Sequence, residues 1–247
     1  MIVRKLGFAL LLGLCFSVYA SATCSNATLV GNYGFTITGT DSAGSLASSV
    51  GQLTADGAGK ITGVFANSTA GVISTNVALT GTYSVKASCT GTVTITPSGG
   101  TVTNFKLVVV TDGAQFELTE TKAGSSQYGY ALAQGKATCT NAGIKNTFGF
   151  RGGGYNSSLA PYAWDGQVKF NGLGAVTGSE SASFGGTIES FALTGTYNVN
   201  SNCTGTAIFN GGTANQSNTF FVIVNGGQSI MQIETDANTI ATTFVQK

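Results

Sequence analysis

The chain has 247 residues, 42% of them hydrophobic and only 9% charged, with 36 glycines, no histidine and a formal net charge of +1. A charged fraction far below the usual quarter leaves Ser, Thr, Asn and Gly to solvate the surface, and the near-neutral balance excludes partners chosen by bulk charge, nucleic acid and anionic membrane first among them. The missing histidine excludes His-based triads and His-containing zinc sites.

Residues 1–22 read as a secretory signal peptide: Arg4 and Lys5 precede an apolar run from Leu6 to Val18, and Ala20, Ser21 and Ala22 supply the small-residue cleavage pattern before Thr23. The run is shorter than the roughly 20 residues of a membrane-spanning helix, so no transmembrane helix is expected. The chain is expected to be secreted, periplasmic or at the cell surface. Cys15 leaves with the signal, and the four remaining cysteines, Cys24, Cys89, Cys139 and Cys203, read as two disulfides in an oxidising compartment.

From Cys24 onward the chain is written twice. "CSNATLVGNYGF" at Cys24 answers "CTNAGIKNTFGF" at Cys139, and "LTGTYSVKASCTGT" at 79–92 answers "LTGTYNVNSNCTGT" at 193–206. The halves also close alike, in "ETKAGSSQYGYALAQGK" and "ETDANTIATTFVQK". A period this long marks duplicated domains rather than a solenoid, and the expected domains are residues 23–136 and 137–247.

In each half the apolar residues recur at every second position. Tyr33, Phe35 and Ile37 alternate with Gly34, Thr36 and Thr38, as do Val77, Leu79, Gly81, Tyr83 and Val85 with their neighbours. That period predicts strands with one buried face, and signals such as Asp56-Gly57, Asn171-Gly172 and Asp112-Gly113 predict the hairpins between them. Strands are predicted near 32–40, 45–55, 60–69, 72–85, 89–97, 101–111, 115–122 and 126–134, and at matching places in the second half. The fold class is all-β, two tandem antiparallel up-and-down β-barrels of about eight strands each, with β-sandwiches as the alternative. In a barrel Cys24, before the first strand, and Cys89, at the turn between strands four and five, lie at one end. The expected bridges are therefore Cys24 with Cys89 and Cys139 with Cys203.

"GNYGF" at Gly31 to Phe35 resembles the first-strand opening of calycins, the lipocalin-like and avidin-like barrels, with tyrosine in the place of their tryptophan. "ADGAGKITGVF" and "LTGTY" resemble avidin-type hairpins, and the chain as a whole resembles uncharacterised exported bacterial β-repeat proteins rich in such phrases. The calycin resemblance implies a small apolar ligand in a barrel mouth. It does not extend to biotin, whose sites carry several tryptophans, because Trp164 is the only one in the chain.

The candidate ligand-binding residues are Tyr33, Tyr83, Glu120, Phe148, Tyr197 and Glu234. The four aromatics belong to the inward period, as do Tyr128 and Tyr130 by the same reading, and Glu120 and Glu234 occupy matching positions near a barrel end. A buried carboxylate there orients a polar ligand group or accepts hydrogen bonds from a turn. Asp56 reads as a hairpin-turn residue and Arg151 as an exposed loop charge. No catalytic residue, metal or cofactor is expected. The reading is an exported, non-catalytic binding module for a small apolar or amphipathic molecule, which requires an enclosed pocket of roughly 300 Å³ or more. The alternatives are a structural or adhesive protein with a surface or matrix partner, and a single sixteen-stranded outer-membrane pore.

Overall fold

The structure is a computed structural model that describes residues 23–156, 158, 160–213 and 216–247; the expected signal peptide lies outside the described residues. The first half contains β1 (Val30–Thr40), β2 (Leu46–Asp56), β3 (Lys60–Thr69), β4 (Val72–Val85), β5 (Thr90–Pro97), β6 (Thr103–Val110), β7 (Gln115–Glu120) and β8 (Tyr128–Ala133). The second contains β9 (Asn146–Tyr155), β10 (Pro161–Phe170), β11 (Ala175–Phe184), β12 (Thr187–Val199), β13 (Thr204–Phe209), β14 (Ser217–Val224), β15 (Ser229–Glu234) and β16 (Ile240–Gln246). Within each half every strand pairs antiparallel with the next, and β1 closes on β8 as β9 closes on β16. Two separate closed cylinders result, which excludes both the sandwich and the joining of all sixteen strands into one pore. Closure leaves no strand edge unpaired.

The two-residue period builds the first interior directly. Tyr33, Phe35 and Ile37 of β1, Leu79 and Tyr83 of β4, Phe105 and Leu107 of β6, and Phe116 and Leu118 of β7 form one buried cluster. The void that these side chains line is about 10 Å³, no more than one water needs. Tyr128 and Tyr130 do not join them. Gly129 and Ala131 take the inward positions of β8, so Tyr128 is exposed and Tyr130 packs on the outside of the barrel.

The doubled "LTGTY" text makes the floor of each barrel. The Tyr83 hydroxyl donates to the Leu29 carbonyl (2.7 Å), and Asn26 Oδ1 accepts from the Val85 amide (2.7 Å). Tyr197 donates to the Asn141 carbonyl (3.1 Å) and Asn141 Oδ1 accepts from the Val199 amide (2.8 Å). These bonds hold a short 3-10 turn under the barrel, with Leu29 or Ile144 plugging the end. Gly81 and Gly195 are required where they stand, because a Cβ would run into the carbonyl of Thr94 or Ile208 on the next strand. Disulfides Cys24–Cys89 and Cys139–Cys203 tie the segment ahead of each 3-10 turn to the turn between β4 and β5 or between β12 and β13, as expected.

The cylinders stand side by side. The outward faces of β1, β2, β3 and β8 meet those of β14, β15 and β16 in a shared apolar layer containing Val50, Ala66, Leu132, Phe220, Val222, Met231 and Ile233. Gly34 lies under Val222 and Val224, close enough that a Cβ would collide with both. At one end Gln134 accepts from the Gly226 amide and donates to the Asn202 carbonyl; at the other the Asn238 amide donates to the Gly71 carbonyl. Both floors therefore face one way and both mouths the other.

Candidate functional site

The second barrel repeats the strand register of the first, so its interior can be compared position by position. Phe65 pairs across the sheet with Val77 where Glu180 pairs with Phe191; Phe105 pairs with Glu120 where Thr219 pairs with Glu234; Leu107 pairs with Leu118 where Phe221 pairs with Gln232. Three bulky apolar side chains of the first core, Phe65, Phe105 and Leu118, thus give way to Glu180, Thr219 and Gln232. Near the mouth Ile37 opposite Ser49 becomes Gly152 opposite Trp164. Gly152 has to be glycine, since a Cβ would run into the Trp164 indole that lies across it.

These exchanges open a cavity of about 230 Å³ at the mouth end of the second barrel. It falls short of the roughly 300 Å³ expected of the ligand pocket, so the cavity fits only a smaller molecule than that expectation supposes. One wall is aromatic. Tyr162 stacks on Trp164 (centroids 4.6 Å apart, planes at 24°) and on Phe184 (5.7 Å, 10°), and Phe191 meets Phe184 edge-on at 6.4 Å. Val168, Phe170 and Leu193 line it deeper in, and Asn210, Gln216 and Ser217 line it at the rim.

Two carboxyl groups face this space. Glu234 accepts from the Tyr162 hydroxyl and from Ser217 Oγ (2.7 Å). Burial raises it above the usual carboxylate range and the charge of Asp236 raises it further, while the Tyr162 and Ser217 hydrogen bonds pull the other way. Glu180, half-buried on β11, is pushed up to about 7, first by burial and then by the negative charge of Glu234. Burial and the adjoining carboxylates raise the Tyr162 phenol as well, so this hydroxyl stays a donor. Asp236 is engaged at the rim, accepting from the Asn218 amide (2.7 Å) and side chain (2.6 Å).

Of the six residues expected to bind ligand, Glu234 lines this cavity. Phe148 is buried edge-on against Phe170, Tyr33 donates to the Gly113 carbonyl (2.9 Å), and Tyr83 and Tyr197 anchor the floors. Glu120 accepts from Ser125 at the mouth of the filled first barrel. Sequence reasoning missed Glu180, Tyr162 and Trp164. The signal was present in the alignment of the halves: wherever the copies differ in side-chain class at an inward position, the interiors differ too. Arg151 is on strand β9 rather than in a loop, its guanidinium 5.6 Å over the Phe244 ring on the outer face. Asp56 is the turn acceptor expected, taking hydrogen bonds from the amides of Ala58, Gly59 and Lys60, which hold its carboxyl below the usual range.

No protein-family model matches the chain, and no curated protein matches it.

Proposed function

We propose that this protein is an exported binding module in which the second barrel holds a small amphipathic molecule at its mouth, and the first barrel is a solid companion that braces it. The observation that carries this reading is the replacement of Phe65, Phe105 and Leu118 by Glu180, Thr219 and Gln232 in an otherwise repeated register. Selection for stability alone favours the filled core, because burying apolar side chains is worth about 1.5–3 kcal/mol each. A cavity with an aromatic wall and a few convergent polar groups is the usual form of a small-molecule site. Entry through the mouth, as in calycins, belongs to the same proposal. Export is supported by two disulfides and by the lack of any helix, among the described residues, long and apolar enough to cross a membrane.

Trp164 is the single tryptophan of the chain and part of the wall, so its emission reports on the cavity alone. Titration with phenethyl alcohol or phenethylamine is expected to shift that emission saturably, and the shift is expected to vanish in a Glu180→Phe, Thr219→Phe double variant that restores the first barrel's filling. A flat response to both compounds in the folded wild-type protein overturns the reading in favour of a structural or adhesive role.

A further inference from the structure

Resting on that reading, we propose that the molecule held in the second barrel carries a protonated amine, with its ammonium group between Glu180 and Glu234 and its apolar body against the stacked rings of Tyr162 and Trp164. Three independent observations converge on this ligand class. First, Glu180 lines the cavity without a hydrogen-bond donor among the described residues, whereas Glu234 has two. An N–H donor from a ligand supplies what the protein withholds, and charge-assisted hydrogen bonds of this kind are the strong ones. Second, no lysine or arginine among the described residues lines the cavity, so two acids face one space without a counter-charge. Third, the wall beside the two acids is aromatic, with Tyr162, Trp164, Phe184 and Phe191 lining the same cavity, which suits a ligand whose charged end is joined to an apolar body.

The charge layout of the barrel points the same way. Glu189 and Asp236 stand at the mouth, while Lys145, Lys169 and Lys247 stand at the floor, next to the ends of β9, β10 and β16. The resulting field draws cations toward the opening and repels anions. A carboxylate ligand would face two acids, and a neutral polyol would draw no charge-assisted hydrogen bond from them.

The groups that face Glu180 are Glu234 and the Tyr162 phenol, with Asp236 at the rim; Phe191 is its apolar cross-strand neighbour, and Arg151 lies outside the wall. All charged groups facing it are acidic, so an entering cation favours ionisation and expels protons. Amine affinity therefore rises as pH climbs through about 7, the value at which Glu180 loses its proton.

The test compares phenethylamine, phenethyl alcohol and hydrocinnamic acid, three ligands with one aromatic body, by Trp164 emission and calorimetry on the full chain. Above the Glu180 transition the amine is expected to bind at least about tenfold more tightly than the alcohol, with proton release, and the acid not at all. Glu180→Gln, which keeps the shape, is expected to abolish the preference and its pH dependence while alcohol binding persists. Equal or tighter binding of the alcohol by the wild-type protein overturns the amine inference and leaves the binding function standing. Silence from all three ligands overturns both.

Discussion

Phe65 and Glu180 occupy the same inward place on the third strand of their barrels, one across from Val77 and the other across from Phe191. The first belongs to a packed core and the second to the wall of a cavity. Everything that distinguishes the two barrels as potential sites is concentrated in a few such exchanges.

Glu180 makes stability depend on pH. In the unfolded chain its carboxyl returns to the ordinary value of 4.5, while in the fold it holds its proton up to about 7. Between those values the folded state binds more protons, so stability is greatest below the lower one, falls as pH rises across the window and levels off above it. Because the group is only part-buried, solvent screening limits the loss to about 1 kcal/mol. Thermal melts of the wild type are expected to fall by a few degrees across this window and those of Glu180→Gln to fall less, with the remaining slope reporting Glu234.

Gln232→Leu restores the residue that Leu118 supplies in the first barrel. The exchange removes a polar group from the cavity wall and adds apolar contact beside Phe221, so a gain of about 1 kcal/mol is expected. The melting temperature of the second barrel should rise by about 4–8 °C. Ligand response from Trp164 should weaken in the same variant, which separates stability from binding.

Gly34→Val tests the contact between the barrels. The added side chain has no room beneath Val222 and Val224, so the two cylinders must move apart or the strand must shift. Overpacking of this kind costs about 1–3 kcal/mol. Calorimetry is expected to separate the unfolding of the two barrels further in the variant than in the wild type.

Each disulfide closes a long loop, with cysteines 65 and 64 positions apart. The chain-entropy model assigns about 4 kcal/mol to a loop of this length. Cys139→Ser with Cys203→Ser is expected to lower the melting temperature of the second barrel by well over ten degrees and to leave the first largely unchanged. Peptide mapping without reductant should yield only the Cys24–Cys89 and Cys139–Cys203 pairs.

Much of the architecture was legible because a two-residue period has one structural meaning. Tyr33, Phe35 and Ile37 cannot share a face unless the segment is extended, and Asp56-Gly57 cannot continue a strand without turning it. The cysteine pairing followed from counting strands between turns. The contact between the barrels was less visible. "TFFVIV" at 219–224 breaks the alternation and is buried throughout, the mark of a strand covered on both sides, whereas its counterpart in the first half keeps Lys106 and Val108 outward and exposed.

The sequence by itself determined that this protein is two copies of one eight-stranded unit, stapled by paired cysteines, because alternation, turn residues and duplicated text are local properties that survive without knowledge of neighbours. Only the tertiary structure decided which barrel is hollow. Glu180 comes from β11 and Thr219 and Gln232 from the later hairpin of β14 and β15, and an inward position is a core position or a cavity wall according to what stands across the cylinder from it.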